Sequence, residues 1–178
     1  SLKNLTLENN LLHNWSQILI LGSELKRLET LSVSYNHLQV DLEGYESLNF
    51  QSYNDTNSVL KIEDPKEIFP KLSKLIAITT GLNFRELNKV VRFMPQLTEL
   101  VLCKNNCNDF DNMQVEHYKN LISLNLEENS IDDHCHFGVL GQLTNLRDLA
   151  LNHNKINRFQ NSDLFQKLEN LNLSYNAI

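Results

Sequence analysis

Glycine and proline are scarce in this chain, 5 and 3 of 178 residues. That excludes collagen-like and Pro/Gly-rich disordered chains. It also leaves little material for the glycine loops of Rossmann or P-loop nucleotide enzymes. There are three cysteines, Cys103, Cys107 and Cys135, an odd number without flanking pairs. A disulfide framework is therefore not expected and a reducing compartment is, each Cys reading as a small apolar residue. No apolar run approaches the ~20 residues of a membrane span; Ile18-Leu19-Ile20-Leu21 is the most apolar stretch. Cationic charge is in deficit too. Sixteen Lys and Arg face 22 Asp and Glu, a net charge of −6 that disfavours a nucleic-acid partner. The chain opens directly on a structural motif, so no leader peptide is expected.

What is abundant is leucine and asparagine, 33 and 25 residues, far above ordinary usage. They are periodic. The pattern Leu-x-x-Leu-x-Leu-x-x-Asn-x-Leu/Ile occurs first at Leu2, Leu5, Leu7, Asn10 and Leu12, and next at Leu28, Leu31, Val33, Asn36 and Leu38. A degenerate third copy has Leu72, Leu75, Ala77, Thr80 and Leu82. Four more begin at Leu97, Leu121, Leu146 and Leu168, with Asn105, Asn129, Asn154 and Asn176 at the polar position. These are leucine-rich repeats, and they predict an α/β, right-handed solenoid of about seven coils. The second and third leucines lie two apart and share one side of a short strand. The strands should stack as a concave parallel sheet. The Asn should satisfy backbone groups of its own and the neighbouring coil, a set that Thr80 can make only in part.

Spacings between repeat starts are 26, 44, 25, 24, 25 and 22. Return segments of this length have room for convex helices in most repeats. Trp15, Ile18, Leu25 and Leu28 recur at helical spacing, as do Phe84, Leu87, Val91 and Met94 ahead of Pro95, and Phe137, Leu140 and Leu143. The last return, with Phe159, Leu164 and Phe165, reads as 3₁₀ or irregular. The 44-residue spacing holds an acidic insertion at about 39–71, with seven acids against three lysines. It reads as a protrusion from one edge of the solenoid; a hidden degenerate repeat around Leu48 and Phe50 is the alternative. Residues 1–178 form a single domain in this reading. Both ends fall within motifs and lack a capping module, so an excised central fragment of a larger protein is expected.

Candidate chemistry mostly reduces to structure. Asp132-Asp133-His134-Cys135-His136 resembles a metal cluster, but consecutive side chains cannot converge on one ion. Asp132 or Asp133 is expected as an N-cap or first-turn acid of a convex helix. Sequons at Asn4, Asn14, Asn54 and Asn172 are expected by chance in so Asn-rich a chain, and the asparagines outside the repeat position read as compositional bias. Arg85 and Arg92 read as solvent-exposed on a convex helix. No catalytic residue, cofactor site or metal site is expected, and the chain is read as a non-enzyme. The concave sheet is more informative. Its outward column should be Thr6, Ser32, Ile76, Val101, Asn125, Ala150 and Asn172, with Glu8, Ser34, Ile78, Cys103, Glu127, Asn152 and Ser174 beside it. Ile76, Ile78, Val101 and Cys103 thus form an apolar patch flanked by Glu99, Asn125, Glu127 and Asp148. An apolar centre with a polar rim is the pattern of a protein interface; a patch covered by the insertion or by the edge of a neighbouring loop is the alternative.

The stretch Leu7 to Ile18, containing Leu11-Leu12-His13-Asn14-Trp15-Ser16-Gln17-Ile18, and the stretch Glu24 to Leu31 resemble the first repeats of the tubulin-folding cofactor E family. Leu82-Asn83-Phe84-Arg85-Glu86-Leu87 and Met94-Pro95-Gln96-Leu97-Thr98-Glu99-Leu100 are similar to its middle repeats. The resemblance covers essentially the whole chain, most specifically residues 2–38. It implies a cytoplasmic, cytoskeleton-associated chaperone scaffold that binds α-tubulin and sister tubulin-folding cofactors during assembly or dismantling of the α/β-tubulin heterodimer. Family members also carry an N-terminal CAP-Gly and a C-terminal ubiquitin-like module, which these residues lack; a cofactor-E-like paralogue lacks the CAP-Gly module. Competing readings are a generic intracellular leucine-rich-repeat adaptor, a GTPase-activating leucine-rich-repeat protein and an extracellular receptor ectodomain.

Overall fold

The computed structural model describes residues 2–40, 49–51, 59–61, 65–159 and 165–178. Seven three-residue strands line up in one parallel sheet: β1 (Asn4–Thr6), β2 (Thr30–Ser32), β5 (Lys74–Ile76), β6 (Glu99–Val101), β7 (Ser123–Asn125), β8 (Asp148–Ala150) and β9 (Asn170–Asn172). Each is centred on the second Leu of a repeat, and those leucines are in register from Leu5 through Leu171. The remaining two strands, β3 (Asn49–Gln51) and β4 (Val59–Lys61), pair antiparallel with each other in a separate sheet. Because β2 pairs directly with β5, no hidden repeat enters the main sheet within the 44-residue spacing. Leu48 and most of the acidic insertion lie outside the described residues. Toward the insertion's end, Ile68 and Phe69 are fully buried in the solenoid core.

The return limbs answer to local sequence. α1 (Trp15–Glu24) starts at the N-cap Asn14, whose side chain accepts from the Ser16 N–H at 2.9 Å. Its Trp15, Ile18 and Leu19 are buried. Gly22 is required there. A Cβ at that position would stand 2.5 Å from Phe69 Cζ and 2.8 Å from Ile68 Cγ2, so the tail of the 44-residue spacing packs directly on α1. α2 (Phe84–Val91) starts at Asn83, which accepts from Glu86 N–H at 3.0 Å. It ends ahead of Pro95 in tight turns, Phe93 N to Val90 O and Met94 N to Val91 O. α3 (Gly138–Gly141) is a single turn. The other described returns hold 3₁₀ turns at Pro65–Glu67, Phe110–Asn112 and Val115–His117. In the 107–121 limb the buried residues are Cys107, Phe110, Met113, Tyr118 and Leu121, at spacings of three, three, five and three, which suit short turns better than a longer α-helix.

Two interior ladders hold the coils together. The aromatic one runs Phe84, Phe110, Phe137, Phe159, Phe165, with ring centroids 5.5–5.9 Å apart. The asparagine one follows the repeat. Asn105 donates to Leu102 O and Cys103 O in its own coil and to Ala77 O in the coil before, and it accepts from Thr80 N–H and Gly81 N–H. Asn36, Asn129, Asn154 and Asn176 likewise donate to the coil before, at Leu7 O, Leu102 O, Leu126 O and Leu151 O. Thr80 makes only part of the set, its hydroxyl lying 3.3 Å from Ala77 O and 3.0 Å from Asn105 Oδ1. The residue preceding each ladder position (Asn9, Tyr35, Thr79, Lys104, Glu128, His153, Tyr175) has φ between 52° and 58°. None is glycine, and left-handed backbone costs about 1 kcal/mol for each. The interior amide bonds hold that turn in place.

Candidate protein-binding surface

Strand register fixes the concave face residue by residue. The Cα pairings place Thr6, Ser32, Ile76, Val101, Asn125, Ala150 and Asn172 side by side. The backbone ladder continues past the strands, through Asn9 N to Ser34 O, Tyr35 N to Ile78 O, Thr79 N to Cys103 O and Lys104 N to Glu127 O. Ser34, Ile78, Cys103 and Glu127 are thereby aligned as well. Ile76, Ile78 and Val101 are half-buried and Cys103 is nearly covered, so the apolar centre is a low strip in the sheet floor. Burial pushes the Cys103 thiol pKa up, and the neighbouring Glu127 carboxylate adds to the shift. The sulfur there is an apolar contact surface and not a thiolate.

The rim of this strip is polar on the C-terminal side. Glu99 pairs with Lys74 at 2.8 Å. Asn125 Oδ1 accepts from the Glu127 N–H at 3.0 Å, and Asp148 Oδ1 accepts from Asn170 Nδ2. Beyond them the face deepens into a concavity of about 450 Å³ lined by Ser123, Asn125, Asp148, Ala150, Asn170 and Asn172. Sequence reasoning did not single out this hollow. Its signal was the small Ala150 between Asn125 and Asn172. The N-terminal side is closed. Ser32 and Ser34 are buried, with Ser32 Oγ bonded to Glu8 Oε1 at 2.5 Å and Ser34 Oγ accepting from Ile78 N–H at 3.1 Å.

The Asp132–His136 run does not cap a helix, contrary to expectation. Asp132 Oδ1 accepts from His134 N–H at 2.9 Å within its own turn. Asp133 instead reaches the next coil, accepting from Asn157 N–H at 2.7 Å and Arg158 N–H at 3.0 Å. Those backbone donors, Arg158's first, hold its carboxyl below the ordinary range. α3 begins only at Gly138, because Cys135 N bonds to Asp132 O and the chain must first complete this turn. Cys135 Sγ turns to Asn108 O at 3.3 Å, with Asp132 Oδ1 3.8 Å away, while Asp133 reaches the next coil and His136 pairs with Asp111 at 2.7 Å, so the cluster does not converge on one point. Among the described residues no group of three His, Cys, Asp or Glu side chains could hold a metal ion. The three cysteines are free, and burial raises the pKa of each. Arg85 is exposed and Arg92 lies 4.9 Å over the Phe93 ring.

Many asparagines outside the repeat position have structural work, which corrects the compositional reading. Asn88 is buried in α2, donates to Asn112 O at 2.6 Å, and accepts from Gln114 N–H and the Tyr118 hydroxyl. Asn120 and Asn145 each donate to a carbonyl of the coil before, Pro95 O and Lys119 O. Of the sequons, Asn14 is the α1 cap and Asn172 Oδ1 accepts from Ser174 N–H. Asn54 lies outside the described residues.

This parallel sheet with its internal asparagine ladder is that of a leucine-rich-repeat solenoid, typically a protein-interaction scaffold. The family model for Leucine rich repeat matches residues 95–156. The solved structure of a leucine-rich-repeat protein from Leptospira interrogans has the same fold, with a TM-score of 0.50 at 23% identity over 86% of this chain and 39% of its own. In sequence the chain resembles tubulin-folding cofactor E of Arabidopsis thaliana, with 28% identity over 161 residues, 89% of this chain. The chain spans about a quarter (26%) of that relative's length. No helix among the described residues is long and apolar enough to cross a membrane.

Proposed function

We propose that this chain is the partner-binding module of a tubulin-folding cofactor, one domain of a larger cytoplasmic protein that engages α-tubulin or sister cofactors through the concave face. The observation that carries the reading is the resemblance to tubulin-folding cofactor E across 89% of the chain. The surface supports it. An apolar strip of Ile76, Ile78, Val101 and Cys103 is bounded by Glu99, Asn125, Glu127 and Asp148, and such a centre with a polar rim suits a protein interface. A binding role is in keeping with the leucine-rich repeat itself, typically a protein-interaction scaffold.

Pull-down on the immobilised chain with purified tubulin and with sister cofactors tests this. Retention is expected, and Val101→Asp should reduce it by about ten-fold or more while circular dichroism stays unchanged, since a buried interfacial charge costs several kcal/mol. Undiminished binding by a folded Val101→Asp variant sinks the concave-strip version. Failure of the wild-type chain to retain either partner sinks the tubulin version.

A further inference from the structure

A second groove lies on the flank of the solenoid, away from the concave columns. It runs between the C-terminal end of α2 with its Met94-Pro95-Gln96 turn and the Glu116–Asn120 turn of the next coil, and encloses about 380 Å³. Val91 and Met94 are buried beneath it and Pro95 is half-buried, so the floor is apolar. The walls are cationic. Lys66, Arg92 and Lys119 line the groove against one carboxylate, Glu116. In a chain of net charge −6 this local excess runs against the composition, and it is opposite in sign to the Glu127 and Asp148 rim of the concave face.

Two of these cations are also available. Arg92 and Lys119 are exposed and belong to none of the ion pairs among the described residues. The Arg92 guanidinium is held over the Phe93 ring at 4.9 Å, which fixes the plane of its donors in advance and lowers the entropy lost when it takes a carboxylate. Two of the other polar groups are already engaged: Asn120 donates to Pro95 O and His117 Nε2 is 3.0 Å from Gln114 Oε1.

We propose that this groove is a second docking site, taking an extended acidic segment of a protein partner. One carboxylate pairs with Arg92, another with Lys119, and the chain between them lies on Val91, Met94 and Pro95. The solenoid would then hold two partner surfaces of different chemistry, one at each face.

The probe is a fluorescein-labelled peptide of alternating Glu and Gly, with its Gln counterpart, titrated against the full chain by fluorescence anisotropy at about 0.1 M salt, where surface charges more than about 10 Å apart are screened. The Glu peptide should bind and the Gln peptide bind about ten-fold more weakly, as expected when charge-assisted bonds are lost. Arg92→Glu with Lys119→Glu should abolish binding at unchanged Tm, and the neutral pair Arg92→Gln with Lys119→Gln serves if the reversal does not fold. Lys155→Glu, an exposed reversal elsewhere, should leave binding within about two-fold. Equal binding of the Gln peptide, or equal loss in Lys155→Glu, overturns the site. Val101→Asp should leave peptide binding unchanged, so this inference and the concave-face reading fail separately.

Discussion

The junction between the third and fourth repeats and the junction between the second and third are built on one backbone plan and differ in one side chain. At the first, Asn105 makes four hydrogen bonds to the coil before, accepting from Thr80 N–H, the Thr80 hydroxyl and Gly81 N–H and donating to Ala77 O, besides two within its own coil. At the second, Thr80 makes no such bond to the second coil; Ser34 Oγ, accepting from Ile78 N–H, stands in with one. Thr79, β-branched and left-handed, leaves its hydroxyl buried without a partner. Yet β2 and β5 remain in register, and Val33 N still bonds to Ile76 O at 2.8 Å. Strand pairing and the leucine core are therefore sufficient to stack a coil, while the asparagine rung adds stability. The weak rung also sits where the chain makes its 44-residue excursion, which makes this junction the expected place for local opening.

Removing the strong rung should have the largest effect. Asn105→Ala leaves several buried backbone groups unpaired and should cost about 3 kcal/mol or more in urea unfolding, since each such group costs about 1–3 kcal/mol. A loss below about 1 kcal/mol would mean that the two junctions do not differ in the way their bonding suggests. Gly22→Ala addresses the weak side. The new Cβ would strike Phe69 and Ile68, and overpacking of this kind costs about 1–3 kcal/mol. An unchanged midpoint would show that the limb after the excursion is not docked on α1. Thr80→Asn should do the opposite, adding a donor toward Val33 O and raising stability by about 1 kcal/mol, the net worth of a buried hydrogen bond. No gain in the urea midpoint would mean that the excursion, not the missing amide, sets the strength of that junction.

The smallest expected effect concerns Asp133. Its folded-state pKa is depressed by the Arg158 and Asn157 backbone donors. The stability it contributes is therefore present above the unfolded pKa and is lost as pH falls through the folded one. Asp133→Asn should lower Tm slightly at neutral pH, with the deficit closing as the solution is acidified below the usual carboxylate range. A deficit independent of pH would indicate that the ionised carboxylate is not what joins the fifth and sixth coils.

The repeat was legible because its positions recur: the leucines, the Asn at Asn10 through Asn176, and hence the two concave columns. The neighbours Ile76 with Val101 and Ile78 with Cys103 followed from period two along each strand and one repeat per strand. The left-handed residue before each ladder position was not legible, since Tyr35, Thr79, Lys104 and Glu128 share no side-chain character. Asp109 and Asp133 were misjudged or missed for a related reason. Asp109 accepts from Phe84 N–H and Arg85 N–H, capping a helix one coil earlier, while Asp133 serves the coil that follows it.

The sequence by itself determined the period, the strand centres, the core columns and the ladder positions, because each is a local pattern of side chains repeated along the chain. Only the tertiary structure decided how the 44-residue spacing is bridged without a strand added to the main sheet, which acids and asparagines bridge coils, and that Arg92 and Lys119 face a common groove. Those features join residues some 22 to 44 positions apart. Such pairs meet only once the coils have stacked in register, and no periodicity within a coil encodes which polar side chain will then lie opposite which carbonyl.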